Sequence, residues 1–524
     1  MQCWKAVKTI ILTILIICIS FSYTACTQKA VIDTAALKKQ DTVTLRVAIF
    51  DRGNTPPGAG AVDNCFLTNW IQENFGDPNN IYVEFVPIPR DQEINKLNQL
   101  MAASSAPDIV FTYNPYIIYN YIQNGELYEL TDILNEYGKN LKSFLGDELL
   151  EYGMFDGKQY VIPAKRMIRG KFGSYIRKDW LDKLGLPVPQ TTQEMYETLK
   201  QFKLKDPGNV GLSEVVPFVT GSGNSPGIRT VIDSFIEEMT EEQLYTLPVV
   251  LQPGYKDGVR FLNKLYNEGL ISPKYPIDND GSYCSDDIIN GKVGFFMEVL
   301  GTSLKPVPGI YNTLKSNVPE AELVVCNPFT NSRNKRPKLL YGPDGMFIFI
   351  PKSSERLVEA IKYLDWMSRP DVLNVLQNGI EGKHHVVENG IAKIFDNEET
   401  KNALFNSFDI TIIVNGKYYD TIEKSVKAEA LSCPGYEDLF IKSYEASIQD
   451  GYTITPLVKY LPSEVKYTTI LAEERANALI RCITASPEDF DQVFEKSVEE
   501  YMEMGGREVM EEAIAVYNAR KLSH

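Results

Sequence analysis

VTLRVAIF (43–50), NCFLTNWIQENFG (64–76), IYVEFVPI (81–88), DQEINKLNQLMAASS (91–105) and APDIVFTYN (106–114) follow one another near the start of the chain, and their alternation decides the fold class. The first, third and fifth stretches are short and rich in β-branched and aromatic residues, so they read as buried strands. The second and fourth carry apolar residues at helical spacing, and Gly76 stops the first of them. A β-α-β-α-β run predicts an α/β fold with a parallel layer, whose binding crevice lies beyond the carboxyl ends of the strands. Asp51 and Arg52 follow the first strand, and Tyr113 and Asn114 end the third; all four are candidates to face a ligand.

Upstream of this run, Lys5 and Lys8 precede TIILTILIICISF (9–21), and small residues then lead to Cys26. A basic start, an apolar core and a small-residue exit describe a secretory signal peptide over residues 1–25. The competing reading is an uncleaved anchor, because the stretch from Thr9 to Ala25 approaches the roughly 17–25 residues that span a bilayer. YTAC (23–26) resembles the lipobox of bacterial lipoproteins, although Tyr23 departs from the usual aliphatic residue. That resemblance implies cleavage before Cys26 and acylation of its thiol by chains such as palmitate. Residues 26–43 would then be a polar linker between lipid and globule.

The chain has 524 residues and a formal net charge of −16, which becomes −18 when Lys5 and Lys8 leave with the signal. Such an acidic surface argues against nucleic acid as a partner. The length exceeds one hydrophobic core, so two domains are expected. Cys65, Cys284, Cys326, Cys433 and Cys482 are scattered and odd in number, which reads as buried apolar residues rather than a disulfide or zinc framework.

From APDIVFTYN onward, NGELYELTDILNEYG (124–138), GKQYVIPAKR (157–166), the stretch beginning YIRKDWLDKLG (175–185), NGKVGFFME (290–298), YGPDGMFIFIPKSSERLVEAIKYLDWM (341–367) and GIEGKHH (379–385) run in an order that resembles family 1 extracellular solute-binding proteins of carbohydrate ABC transporters, the maltose-binding-protein-like receptors. The resemblance implies a two-lobe, periplasmic-binding-protein-like type II fold with a hinged cleft. It places residues 44–175 and 342–380 in lobe 1, and 176–341 and 381–524 in lobe 2. The crossings fall near KFGSYIRKD (171–179) and LLYGPDGMFIFI (339–350), so Gly173 and Gly342 are expected to take up the swing between lobes. After Pro370 the pattern turns mostly helical, ending in an amphipathic tail expected to pack on the second lobe.

Sugars offer CH faces to aromatic rings and hydroxyls to carboxylates, amides and guanidinium groups. Tyr116 after the third strand, Tyr283 in GSYCSDD (281–287), Phe296 and Glu298 in NGKVGFFME, and Tyr341 and Asp344 at the return segment join the candidates. Arg166 and Arg169 stand at the lobe junction. His384 lies in a segment that the resemblance places near the cleft. In RKDWL (177–181), Asp179 reads as a helix cap and Trp180 as core. KDPGNVGLSE (205–214) is a degenerate version of the calcium loop of relatives, and Asp206, Asn209 and Glu214 alone make a poor cage. The adjacent pair His384–His385 lacks the HExxH arrangement, so neither a metal nor a cofactor is expected.

These features imply a monomeric, non-enzymatic receptor on the outer face of the cytoplasmic membrane, in an organism of Gram-positive type. It would be lipid-anchored, would bind a carbohydrate, in the first place an oligosaccharide, and would deliver it to permease subunits. The alternatives are a secreted glycan-cleaving enzyme, which needs two carboxyl groups about 5–10 Å apart, and a peptide receptor on the same fold.

Overall fold

The computed structural model describes residues 42–453 and 461–523; the signal, lipobox and most of the linker lie outside the described residues. Two four-stranded sheets organise the rest. In the first, strands Val414–Asn415, Ile162–Arg166, Asp344–Phe349 and Val110–Thr112 lie side by side. Val47 of the strand Val43–Asp51 bridges in parallel to Ile109, which brings the opening β-α-β-α-β run onto the edge of this sheet. The sheet is mixed rather than parallel: Asp344–Phe349 runs antiparallel to both neighbours. The reason is connectivity, because the chain reaches Asp344 from the other lobe and so enters at the crevice end, opposite Lys165.

In the second sheet the order is Leu323–Val325, Phe172–Arg177, Val293–Val299 and Val216–Val219. Both faces are covered, and the period of two sorts neighbours to opposite sides. Ile176 and Phe295 point into a core with Trp180, Phe218, Leu479 and Phe494, whereas Tyr175 and Phe296 point into a core with Leu314, Val426 and Phe440. The C-terminal helix Pro462–Thr484 thus supplies part of the second-lobe core through Leu479, Cys482 and Ile483. Trp180 is fully buried. Asp179 does not cap its helix, since Arg177 occupies that position; Asp179 instead forks onto the buried Arg177 guanidinium at 2.8 and 2.7 Å.

A separate core belongs to the first sheet and joins Ile49, Phe111, Ile162, Ile348 and Leu364 to Ile410, Ile412, Ile413 and Val414. The stretch 381–415, placed by sequence in the second lobe, therefore returns to the first: its last strand, Val414–Asn415, pairs in parallel with Ile162–Arg166. The chain crosses between the sheets three times, after Arg166, before Asp344 and after Asn415.

Candidate functional site

The three crossings lie together and bond to one another. Arg166 N–H donates to the Pro343 carbonyl at 2.8 Å, Tyr341 N–H to the Arg169 carbonyl at 3.0 Å, and Lys165 N–H to the Ile413 carbonyl at 2.9 Å. Glycine is needed here for close approach. A Cβ on Gly170 would fall on the Ser447 hydroxyl of the helix Glu437–Ile448, and one on Gly345 would stand 2.6 Å from Asn415 Cβ. Neither Gly173 nor Gly342 is in the left-handed region, and Gly173 faces Ser443 and Tyr175. Their smallness, not a special dihedral, is what the structure uses.

Above this floor opens a cavity of ≈ 290 Å³, walled by Phe408 and Thr411 of the first lobe and Val299 and Phe440 of the second. Val299 also borders a second cavity of ≈ 450 Å³ at the carboxyl ends of Val216–Val219 and Val293–Val299, so the two spaces adjoin along one groove. The second cavity is edged by Thr220, Ser222, Asn224, Asp278, Asp280 and Glu298.

Several of the candidates from sequence converge here. Arg166 and Tyr341 line the first cavity, with the guanidinium carbon 4.3 Å from the ring centre and Nε donating to the Asp344 carbonyl at 3.0 Å. Burial pushes the Asp344 carboxyl above its ordinary range, with Arg166 and Arg169 opposing. Tyr113 reaches the same region: its hydroxyl accepts from Asn415 Nδ2 at 2.7 Å, and its ring stacks on Phe50. Burial raises the Tyr113 phenol, with Arg166, Arg52 and Arg90 pulling it down. Glu298 borders the second cavity and accepts from Ser303 at 2.8 Å, its carboxyl raised by burial.

Other candidates are committed elsewhere. Arg52 forks onto Asp409 at 2.7 and 2.8 Å. Asp51 accepts from Gly53 N–H at 2.9 Å and closes a turn. Asn114 is a helix cap, accepting from Tyr116 N–H at 2.9 Å and Ile117 N–H at 3.4 Å. Tyr116 donates its hydroxyl to Glu464 at 3.2 Å, away from the two cavities. Arg169 Nε is tied to the Tyr341 carbonyl. Tyr283 is exposed and does not line either cavity. Phe296 touches the second cavity but is 1 % exposed, packed 5.5 Å from Tyr175.

His384 is not at the cleft. It is 1 % exposed in the first lobe, its ring 4.7 Å from Phe66 and its Nδ1 accepting from Ile380 N–H at 3.0 Å; burial lowers its pKa. Both paired histidines are core residues: His384 packs on Phe66, and His385 Nδ1 lies 2.9 Å from the Asn378 carbonyl.

In the degenerate loop, Asp206 accepts from Val210 and Gly211 N–H groups, and Glu214 pairs with Lys292 at 2.6 Å. GNSPG (223–227) fits the GxSxG spacing of a nucleophile elbow. Ser225 is nonetheless committed to the Gly221 carbonyl and the Thr220 hydroxyl, each at 2.7 Å, and His384 and His385 are buried in the other lobe's core.

Sequence reading missed Lys171, Lys305, Lys417, Phe408 and Glu429, all of which line the first cavity. No local motif marks them. The one available signal was the strand-like stretch ITIIVNGKYYD (410–420), which carries the third crossing and delivers Asn415 and Lys417.

A family profile described as bacterial extracellular solute-binding protein matches residues 70–377, more than half of the chain. The chain belongs to that family. This solute-binding protein is 26% identical over 454 residues to "Lipoprotein LipO" of Bacillus subtilis, covering 83% of this chain and 86% of that one. It is 24% identical to the polygalacturonan/rhamnogalacturonan-binding protein YtcQ of the same organism, covering 83% and 85%. Among solved structures, the Streptococcus pneumoniae substrate-binding protein FusA in complex with kestose superposes with a TM-score of 0.67 at 16% identity, covering 92% of this chain and 100% of that one. The type II two-lobe fold is thereby shown. No helix among the described residues is long and apolar enough to cross a membrane.

Proposed function

We propose that this solute-binding protein is the lipid-anchored receptor of an ABC importer, and that it captures an oligosaccharide between its lobes and presents it to permease subunits. The observation that carries this reading is the groove at the three crossings, bordered by both lobes and furnished with Tyr341 and an exposed Phe408 as ring surfaces, beside hydroxyl, amide and carboxylate groups. Sugar-binding relatives of the same family support the choice of ligand class. The mechanism is closure without chemistry: a ligand that touches both lobes stabilises the state in which they approach, by as much as its affinity differs between states. Rotation is shared by the connections between Arg166 and Phe172, between Leu339 and Asp344, and between Asn415 and Ile422. The first cavity itself offers no pair of carboxylates for glycoside cleavage, since its one acid among the described lining residues, Glu429, is held by Lys305 at 2.9 Å.

The test is a thermal-shift screen of the full chain in detergent against oligosaccharides and peptides. A ligand at about 100 times its dissociation constant adds about 2.7 kcal/mol. Stabilisation by glycans supports the reading, and stabilisation by peptides alone replaces it with a peptide receptor. Small-angle scattering with a hit should show a smaller radius of gyration; an unchanged value refutes closure.

A further inference from the structure

We infer that the cavity at the lobe crossings is built for an anionic sugar residue, with the carboxylate of a uronic acid seated between Arg166 and Lys171; this rests on the receptor reading above. In a chain of net charge −16, the described residues lining this cavity include four cations, Arg166, Lys171, Lys305 and Lys417, and one acid, Glu429. Glu429 is consumed by Lys305 at 2.9 Å. Lys417 is satisfied by oxygens that carry no charge, the Gln377 carbonyl at 2.7 Å and Asn378 Oδ1 at 3.3 Å. Arg166 and Lys171 flank the Tyr341 ring at 4.3 and 5.1 Å, and among the described residues neither has a carboxylate oxygen within salt-bridge reach. Among the described residues, Arg166 spends Nε on a backbone carbonyl and has no hydrogen-bond partner for the rest of its fork, and Lys171 Nζ has no hydrogen-bond acceptor.

The acids nearby do not cancel this excess. Asp344 faces both Arg166 and Arg169, and Asp233 faces Arg229 as well as Lys171. Burial, with Arg229 and Arg166 adding to it and Asp233 opposing, lowers Lys171 to about 8, so the buried acid nearby does not offset the cost of holding this charge. An arriving carboxylate supplies the missing partner for the planar guanidinium and the ammonium together. The adjoining cavity has the opposite character, with Asp278, Asp280 and Glu298 and no cation among its described lining residues, which suits the hydroxyls of a neighbouring sugar ring. The groove is therefore polarised, and an acidic residue of a glycan chain can enter in one register.

The experiment is calorimetric titration of the full chain in detergent with oligouronides of two to four residues, the same oligomers after reduction of their carboxyl groups, and sulfated neutral oligosaccharides. The expected result is that the oligouronide binds at least tenfold more tightly than its reduced form, and that this ratio falls about tenfold in Lys171→Met and in Arg166→Gln, as loss of a charge-assisted hydrogen bond requires. Equal or tighter binding of the reduced oligomer overturns the inference while leaving a sugar receptor intact. Binding of the sulfated oligomer without the oligouronide overturns the carboxylate assignment. Failure of every glycan overturns this inference and the receptor reading together. The two variants substitute different crossing residues, so a folding defect in one leaves the other to decide.

Discussion

Lys171→Met should stabilise the empty protein, and the size and pH profile of the gain follow from the cavity. Lys171 is half-buried against Tyr341 with no salt-bridged acid among the described residues, and its pKa stands at about 8 against an ordinary 10.5. That difference corresponds to ~3 kcal/mol held against the folded state. Solvent at the mouth of the groove screens part of it, which leaves about 1–3 kcal/mol to recover. The sign is fixed by linkage: a base whose folded pKa is depressed burdens the fold fully below that pKa and is relieved between about 8 and 10.5, where the unfolded chain still holds the proton and the folded one does not. Methionine fills a similar length with no charge, so the variant escapes the burden at every pH. For a body of this length the unfolding entropy is about 1 kcal/mol per degree, giving a rise of about 1–3 °C. Calorimetric scans of both proteins between pH 6.5 and 10 should show that rise at pH 7 and its decay above pH 8. Titration of buried tyrosines affects both chains and cancels in the difference. A variant less stable than the parent, or a difference independent of pH, would refute the claim that the cation is unpaired.

Arg52→Ala should lower stability by about 2–4 kcal/mol, because it strands Asp409, 8 % exposed, without its forked partner; adding Asp409→Asn should restore much of the loss, and urea titration of the cycle measures it. Gly170→Ala should cost about 1–3 kcal/mol by driving a methyl into Ser447, with partial recovery in Gly170→Ala/Ser447→Ala, read by thermal denaturation. Cys26→Ser should move the protein from the membrane fraction to the medium; parent protein released freely into the medium would end the lipid-anchor proposal.

What was legible in the sequence is what local pattern encodes. The opening strands and helices and the helical tail rest on periodicity and turn chemistry, the order of motifs rests on a family resemblance, and the type II fold agrees with both. Burial of charged and polar side chains is not a local property. His384 sits among Gly382, Lys383 and Glu381 in sequence, yet it lies in the core beside Phe66. Asn114 stands at a strand end, where a ligand contact and a helix cap demand the same polar residue; Pro115 at the first helical position was the cue for the cap. The groove itself was illegible because its residues come from distant parts of the sequence: Arg166, Tyr341 and Asn415 meet through long-range strand pairing.

The same long-range pairing explains why binding and motion share one place. A crossing segment must pass between two independently packed cores, so its side chains are denied full burial in either and its backbone is bonded to the other crossings instead. Arg166 and Lys171 are cations left at that seam, and Gly170 keeps the second-lobe helix close to it. A ligand that neutralises them acts on the strands that join the lobes, where a small change in preferred geometry is multiplied by the length of each lobe. Charge placed at the seam thus ties occupancy to lobe position more directly than contacts at the outer rim would, since rim contacts change only after closure while seam contacts bear on the rotation itself.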